Sequence, residues 1–251
     1  MSQFVALSSR AIREVWRTPE QLVPTVFIPL FFLVVNVGQA GRIFPEGATP
    51  FLEGQGYAAF QVPSALLLAA SFGSAAMYLV EEIEGGYFDK LRAAPVSRTT
   101  LVLGRLTAEA IKSMVIAALI VLVALPFGVS MASGALGFLL LLLLVSSWAV
   151  VFSGFMQLIA LKSRSAAATQ SGSLIFFPLL FLTPNFVPRN LLTRPMEIAA
   201  TYNPVTYIME GMRSLILESS DWATVGRGFA VVAISGVAMV ALNVRAIRAY
   251  D

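Results

Sequence analysis

Charged residues are absent from long blocks of this chain. Five stretches contain no Asp, Glu, Lys or Arg: residues 21–41, 54–80, 113–161, 165–188 and 228–244. A helix rises about 1.5 Å per residue, so roughly 20 apolar residues cross a hydrocarbon core about 30 Å thick. The third stretch, with 49 residues, is too long for one crossing, and the Gly- and Pro-containing residues 126–137 mark where it turns back. The pattern therefore predicts six spans.

The predicted fold is a single all-α integral membrane domain over residues 1–251. Its six transmembrane helices are expected at residues 19–41, 57–80, 107–128, 135–161, 166–184 and 225–244. In an alternative interpretation, the first apolar stretch is a signal peptide that is cleaved after Gly38, Gln39 and Ala40, a small-x-small pattern.

Residues 1–18 predict an amphipathic helix that lies in the membrane interface. One face is basic and the opposite face carries Trp16. Thr18 and Pro19 are typical of the N-cap and first position of a new helix. From the pattern alone, this helix is expected to be a membrane anchor.

The composition supports a membrane protein, because 57% of the residues are hydrophobic and only 12% are charged, against about a quarter charged in soluble domains. The net charge of +3 is scattered, so nucleic-acid binding is not expected. The chain has no Cys and no His, which removes disulfides and the commonest metal ligand and general base. No charge is expected at mid-span, which argues against a proton- or ion-driven pump.

No phosphate-binding loop of the GxxxxGK[ST] type is present. None of the three lysines, Lys90, Lys112 and Lys162, follows a glycine. We therefore expect neither an enzyme nor a site for a cofactor or metal in this chain.

The distribution of Lys and Arg predicts the orientation. With six spans, one side of the membrane receives twelve basic residues: Arg10, Arg13, Arg17, Lys90, Arg92, Arg98, Arg105, Lys112, Lys162, Arg164, Arg245 and Arg248. The other side receives five: Arg42, Arg189, Arg194, Arg213 and Arg227. Because basic residues are retained in the cytoplasm, both termini are expected there.

The stretch of residues 81–98 carries seven charges in eighteen residues. Each charge costs about 2.5–3.5 kcal/mol at the centre of a spanning helix, so the segment is expected outside the hydrocarbon. A Gly pair ending at Gly86 breaks the preceding helix. Tyr87, Phe88 and Leu91 then form an apolar patch on a short helix that Pro95 ends. From the pattern alone, this helix either lies on the membrane surface or docks on another protein.

The outer segment, residues 185–217, follows a stretch broken by several prolines. After Pro204 an apolar stripe is expected, with Glu210 and Arg213 on the opposite side of the helix. From the pattern alone, the segment is expected to cap the outer leaflet with a pair of helices.

Two motifs resemble those of the type 2 ABC transporter permeases, the family of the daunorubicin-resistance permeases. The first lies in residues 81–98, called the coupling segment below because in that family this segment couples the membrane subunit to its ATPase. Six of its residues match: Glu82, Glu84, Gly86, Leu91, Pro95 and Ser97. The second lies in residues 181–215 and contains Phe186, Val187, Pro188, Asn203, Pro204, Val205, Thr206 and Tyr207. The resemblance covers nearly the whole chain.

The resemblance implies the membrane subunit of an ATP-driven exporter in a bacterial-type inner (plasma) membrane. Its ATPase-coupling residues would be Glu82, Glu84, Gly86, Tyr87, Phe88, Leu91, Arg92 and Pro95. The outer segment would be a gate that closes the export path rather than only a cap, and this gate would contain Phe186, Pro188, Asn203, Pro204 and Tyr207. The N-terminal helix would be an elbow that can also touch the ATPase, a role compatible with that of an anchor.

The implied partners are a separate ABC ATPase, which would bind ATP and Mg²⁺, and a second permease copy, in a homodimer or beside a related permease. The cargo is expected to be lipophilic or amphipathic, drug-like or lipid-linked, because the sequence indicates no charged pocket. The alternatives are a permease for polysaccharide or glycolipid, and a membrane scaffold that transports nothing.

Overall fold

The computed structural model describes residues 3–72, 76–93, 96–217 and 221–249, apart from the side chains of Gln21, Arg92 and Arg98. Within these residues the regular structure is entirely helical, which confirms the all-α prediction. The helices are α1 (Gln3–Trp16), α2 (Pro19–Ala40), α3 (Tyr57–Ser71), α4 (Ala76–Glu84), α5 (Tyr87–Ala93), α6 (Arg98–Ala124), α7 (Gly134–Ser163), α8 (Ala166–Ser173), α9 (Phe176–Phe181), α10 (Arg194–Tyr202), α11 (Pro204–Leu217) and α12 (Trp222–Arg248).

Five stretches are long and apolar enough to cross a membrane: Leu22–Ala40, Tyr57–Glu84, Thr99–Phe127, Gly134–Ser163 and Trp222–Arg248. The second contains α3 and α4 and runs over residues 73–75, which lie outside the described residues. The five stretches coincide with the predicted first, second, third, fourth and sixth spans. The predicted fifth span coincides with a shorter apolar stretch, Ala166–Phe181. That stretch is about 24 Å long, which is less than a hydrocarbon core of about 30 Å. The six-span layout therefore stays a prediction.

Pro178 explains why this shorter stretch is divided into α8 and α9. Proline has no N–H to donate to the carbonyl of Leu174, four residues earlier, and its ring crowds that carbonyl. The Leu174 carbonyl instead accepts a hydrogen bond from the Phe177 N–H at 3.1 Å, which is the spacing of a tight turn. Helical structure ends at Phe181, so the last residues of predicted span 166–184 are irregular.

Polar residues set several helix ends. α2 begins at Pro19 as predicted, but the Thr18 hydroxyl does not cap it. That hydroxyl donates instead to the carbonyls of Glu14 and Val15, both at 3.1 Å, at the end of α1. Ser97 caps α6 by accepting a hydrogen bond from the Thr100 N–H at 3.1 Å, so α6 starts well before predicted span 107–128.

α3 lies at the centre of the molecule. All of its residues are buried, and α2, α6, α7 and α11 pack around it. By contrast, α2 and α12 lie at the periphery and expose large apolar side chains, including Phe27, Phe31, Ile234 and Val237. Such faces suit contact with lipid or with another membrane helix.

α1 packs along the first part of α6. The contact is close at Gly104, where an added Cβ would lie 3.2 Å from the Cβ of Leu7. Deeper along α6, Glu109 and Lys112 form an ion pair at 2.5 Å, and both side chains are almost fully buried. The sequence analysis expected no charge at mid-span. In the structure, this buried ion pair nevertheless lies within the apolar stretch Thr99–Phe127.

Candidate functional site

The coupling segment begins at the end of α4 and turns sharply into α5. Gly86 has a φ of 69° at this turn, in the left-handed region that residues with a Cβ rarely adopt. The turn confirms the predicted helix break after the second span. Pro95, the proposed end of the short helix, lies outside the described residues.

The Glu82 carboxylate is the electrostatic centre of the coupling segment. One oxygen accepts a hydrogen bond from Arg10 of α1, and the other accepts one from Arg105 of α6. Glu82 is only 8% exposed, so both bonds are partly shielded from water. The Arg10 guanidinium also lies 4.6 Å from the ring centroid of Tyr87, within cation–π range. Through these contacts α1, α4, α5 and α6 are held as one unit.

Phe88 does not form the outward apolar patch that the sequence predicted with Tyr87 and Leu91. Its side chain is buried in a cluster with residues of α4, α6, α7 and α12, among them Leu79, Leu106 and Ile247. Tyr87 is 41% exposed and Leu91 is partly buried. The difference arises because an apolar face on a short helix packs against whichever apolar surface is nearest, and here that surface is the same chain. Phe88 therefore anchors α5 to the ends of the long helices.

Glu84 joins the coupling segment to α8. Its carboxylate accepts a hydrogen bond from the Ala166 N–H at 2.9 Å, at the N-terminus of α8, where backbone N–H groups lack helical partners and favour negative charge. Arg92 lies on the last turn of α5. The structure thus brings Glu82, Glu84, Gly86, Tyr87, Phe88 and Leu91 together in one small region.

At the opposite end, Asn203 and Pro204 start α11. The Asn203 side-chain oxygen accepts a hydrogen bond from the Val205 N–H at 3.0 Å, and its amide nitrogen donates to the Leu179 carbonyl at 2.6 Å. Asparagine at the N-cap followed by proline at the first helical position is a favoured helix start. Asn203 therefore links the outer segment to α9.

Arg213 lies at the centre of the outer segment, although the sequence placed it on the polar side of α11. It is 6% exposed and donates hydrogen bonds to the carbonyls of Phe60 at 3.2 Å, Pro184 at 2.5 Å and Asn185 at 3.0 Å. Its guanidinium also lies 3.6 Å from the ring centroid of Phe60. Burial lowers the pKa of Arg213 to about 9, so it remains charged at pH 7.

Arg189 and Glu210 form a second ionic contact in this segment. The Arg189 guanidinium donates two hydrogen bonds to the Glu210 carboxylate, at 3.0 and 2.7 Å, and lies 5.1 Å from the ring centroid of Tyr207. Desolvation lowers the pKa of Arg189, but its pairing with Glu210 and Tyr207 outweighs that effect and raises the pKa overall. The Tyr207 hydroxyl donates to the Thr201 carbonyl at 2.7 Å.

Phe186 and Pro188 lie where the outer segment meets α3. The Tyr57 hydroxyl donates to the Phe186 carbonyl at 2.9 Å. Pro188 lines a cavity of about 360 Å³ that also contains five charged residues: Glu53, Arg189, Glu210, Arg213 and Asp221. The expectation that the chain offers no charged pocket is therefore wrong at this end of the molecule.

One of these features, the burial of Arg213, left a signal in the sequence. Met209, Arg213 and Ile216 are spaced i, i+4 and i+7, so Arg213 falls on the same helix face as two residues of the predicted apolar stripe. A charge within an apolar stripe indicates a buried, partnered charge. The Arg10–Glu82–Arg105 network left no local signal, because its members lie on three different helices. Among the described residues, no three His, Cys, Asp or Glu side chains lie close enough to hold a metal ion.

Comparison with known proteins agrees with this arrangement of helices and motifs. The family model described as ABC-2 type transporter matches residues 2–217. This chain belongs to the ABC-2 type transporter family. The match includes both the coupling segment and the outer segment, so the resemblance seen in the motifs is confirmed.

Individual relatives of this ABC-2 family permease are distant. The chain is 27% identical over 231 residues to ycf38 of Porphyra purpurea, which is named as a transport permease, and the match covers 88% of this chain and 76% of that protein. It is 24% identical over 229 residues to the daunorubicin resistance ABC transporter permease protein DrrB1 of Streptomyces coeruleorubidus, covering 87% and 78% of the two chains. The ycf38 protein of Pyropia yezoensis is 26% identical over 231 residues.

Proposed function

We propose that this permease is the membrane subunit of an ATP-driven exporter that moves a lipophilic or amphipathic compound out of the cytoplasm. ATP and Mg²⁺ bind in a separate ABC ATPase, and the permease works with a second copy of itself or with a related permease. Membership of the ABC-2 family supports the transport role, and the name of the Streptomyces relative supports a drug-like cargo.

One observation carries the proposal: α5 is small, partly exposed and rigidly joined to the long helices. Phe88 anchors it in the cluster at the ends of α4, α6, α7 and α12, and Arg10 joins its Tyr87 to the Glu82 network. A partner that pushes on the exposed face of α5 therefore moves the helix ends together. A helix that merely rested on the membrane would need no such ties.

The docking face is formed by the exposed side chains of α5. Tyr87 and Lys90 point outward, whereas Phe88 acts through the position of the helix. An aromatic side chain at the centre of an interface typically contributes 1–2 kcal/mol or more, and about 1.4 kcal/mol is tenfold in affinity. The double variant Tyr87→Ala, Lys90→Ala should thus bind the ATPase at least about tenfold more weakly.

Co-purification with a co-expressed ABC ATPase tests the proposal, followed by measurement of ATP hydrolysis in liposomes. Tyr202→Ala is the matched control, since Tyr202 is 85% exposed and lies in the outer segment, away from α5. We expect the α5 double variant to lose the ATPase while Tyr202→Ala retains it. Equal retention by both variants would contradict docking at α5. An assembled complex that hydrolyses ATP without moving any compound would indicate a scaffold instead.

A further inference from the structure

A small cavity of about 20 Å³ lies between α2, α3 and α9. Both α2 and α9 pack against α3, and the polar α3 side chains Gln61 and Ser64 line the cavity although they are buried. Aromatic rings line it as well, with Phe32 on α2 and Phe181 on α9. Because Phe181 is 42% exposed, the cavity has a polar buried base and an apolar, more exposed side.

The chain loses its helical structure beside this cavity, directly after α9. Irregular backbone within a membrane protein needs partners from the protein itself, and side chains of α3 and α11 supply them here. Gln61 and Arg213 donate hydrogen bonds to the Asn185 carbonyl at 3.2 and 3.0 Å. Tyr57 donates to the Phe186 carbonyl at 2.9 Å. The backbone of Asn185 is therefore held firmly at the cavity.

The Asn185 side chain offers an unused hydrogen-bond donor to the cavity that it lines. Its oxygen accepts a hydrogen bond from the Ser64 hydroxyl, which fixes the orientation of the amide. Its nitrogen donates to no group in the part of the chain that the structure describes, although Asn185 is only 5% exposed. Buried polar groups almost always have a partner, so this donor indicates an acceptor that comes from outside the chain.

Asn36 of α2 supplies a second donor to the same cavity. One of its amide N–H groups donates to the Gln61 side-chain oxygen at 3.4 Å, and the other makes no hydrogen bond within the described residues. A carbonyl oxygen has two lone pairs and can accept from both asparagines. The cavity exceeds the roughly 10–15 Å³ that one water needs, so it has room for one oxygen atom.

We propose that this cavity binds the carbonyl oxygen of an amphipathic cargo, a ketone, ester or amide, through the side-chain amides of Asn185 and Asn36. The proposal rests on the export function above and names the cargo group that the permease recognises. A water molecule would satisfy the two amides but leave the aromatic side uncovered. A molecule with a carbonyl and an apolar body does both, because its body lies along Phe32 and Phe181.

Magic-angle-spinning NMR measures this contact directly, because the chain contains five asparagines. The full chain is labelled with ¹⁵N in the asparagine side-chain amides and placed in liposomes of an ether-linked phosphatidylcholine, which has no carbonyl. The probe is hexanophenone with ¹³C at its carbonyl. A hydrogen bond places this carbon about 4 Å from the amide nitrogen, close enough to dephase its signal, whereas ketone dissolved in lipid leaves the signal unchanged.

We expect the ketone to dephase the signals of Asn185 and Asn36 with a saturable dependence on its concentration. Asn203 and Asn243 donate to carbonyls elsewhere in the chain, so their signals should not be dephased. Hexylbenzene has the same skeleton without the oxygen. To displace the probe, it should need at least about tenfold more than unlabelled hexanophenone does, as expected for a lost buried hydrogen bond.

A matched pair of variants isolates the Asn185 side chain. Asn185→Leu should raise the half-saturation concentration measured at Asn36 about tenfold. Asn190→Leu, at an exposed position of the same segment, should leave that concentration unchanged. If Asn185→Leu does not fold, the parent chain still tests the proposal through the dephasing of its own Asn185 signal.

The absence of dephasing at Asn185 in the parent chain would overturn the proposal and leave the cavity to water. Equal displacement by hexylbenzene and hexanophenone would overturn it too. A second sample uses an ester-linked phosphatidylcholine with ¹³C at its carbonyls. Dephasing by this lipid that unlabelled ketone does not reduce would make the occupant a membrane lipid and overturn the assignment to cargo. The measurement needs neither ATPase nor nucleotide, so its failure is separate from a failure of docking at α5, which co-purification reports.

Discussion

Arg213 is expected to hold the outer segment against α3, and the conservative substitution Arg213→Lys tests this. The guanidinium donates to three carbonyls, those of Phe60, Pro184 and Asn185. Lysine keeps the charge but places one nitrogen at the end of its chain, and that nitrogen cannot reach all three carbonyls. About two charge-assisted hydrogen bonds are lost, each contributing about 1.5–3 kcal/mol.

The loss should reduce the free energy of unfolding by roughly 3–6 kcal/mol, since only 6% of Arg213 is exposed. In a chain of this length, each kcal/mol lowers the melting midpoint by about 2–4 °C. We therefore expect the midpoint of Arg213→Lys to fall by at least about 6 °C.

The absence of cysteine from the chain makes the assay straightforward. Ser146→Cys places a single thiol on buried α7, and a thiol-reactive dye reports its exposure as the protein is heated in detergent. Arg194→Lys is the control, because Arg194 pairs with Glu197 on the surface, where such pairs contribute little. If both lysine variants melt within about 2 °C of each other, Arg213 does not stabilise the outer segment in the way argued here.

Three other predictions concern the α4–α5 turn, the start of α12 and the C-terminus. Gly86→Ala should destabilise the α4–α5 turn by about 1 kcal/mol because of its positive φ and weaken ATPase co-purification, whereas Gly38→Ala in open space on a helix should do neither. Hydrogen bonds from Thr224 lower the pKa of Asp221, so the stabilisation of α12 by the Asp221 cap is present above the ordinary aspartate pKa and is lost as pH falls through the lowered pKa. Amide exchange in the first turn of α12 should become faster as pH falls through that value. In Asp221→Ala, amide exchange in this turn should show no such change. Ala249→Cys should react with an impermeant thiol reagent only after cells are opened, and labelling in intact cells would contradict a cytoplasmic C-terminus.

The positions of the long helices follow from the sequence because a charge in hydrocarbon is costly. Each charge-free stretch long enough to cross a membrane therefore contains a helix, as at α2 and α7. Helix ends extend beyond those stretches, however, because capping side chains such as Ser97 and Asp221 set them rather than the membrane boundary. A count of apolar residues therefore locates a spanning helix but does not give the full length of that helix.

The sequence predicted where the two candidate sites lie along the chain, but it did not predict which contacts their side chains make. Both motif regions could be found from their residues, yet Phe88 and Arg213 each turned inward. From the sequence, the Phe88 side chain could pack against its own chain or against a partner. The folded positions of α4, α6, α7 and α12 decide this, and they are not visible in the sequence pattern. Arg213 is satisfied by carbonyls that become available where the chain is irregular near Pro184, and Glu84 binds a backbone N–H that lies 82 residues away. Such long-range contacts have no local pattern.

The turn at Leu174 has a mechanical consequence for this permease. α8 is held at its first residue by Glu84, and α9 is held near its end by Asn203. A single straight helix between these two contacts would transmit a displacement at one end to the other end in full. A turn between α8 and α9 allows part of that displacement to become a change of angle between the two helices. In the export function proposed above, the coupling segment and the outer segment therefore need not move together.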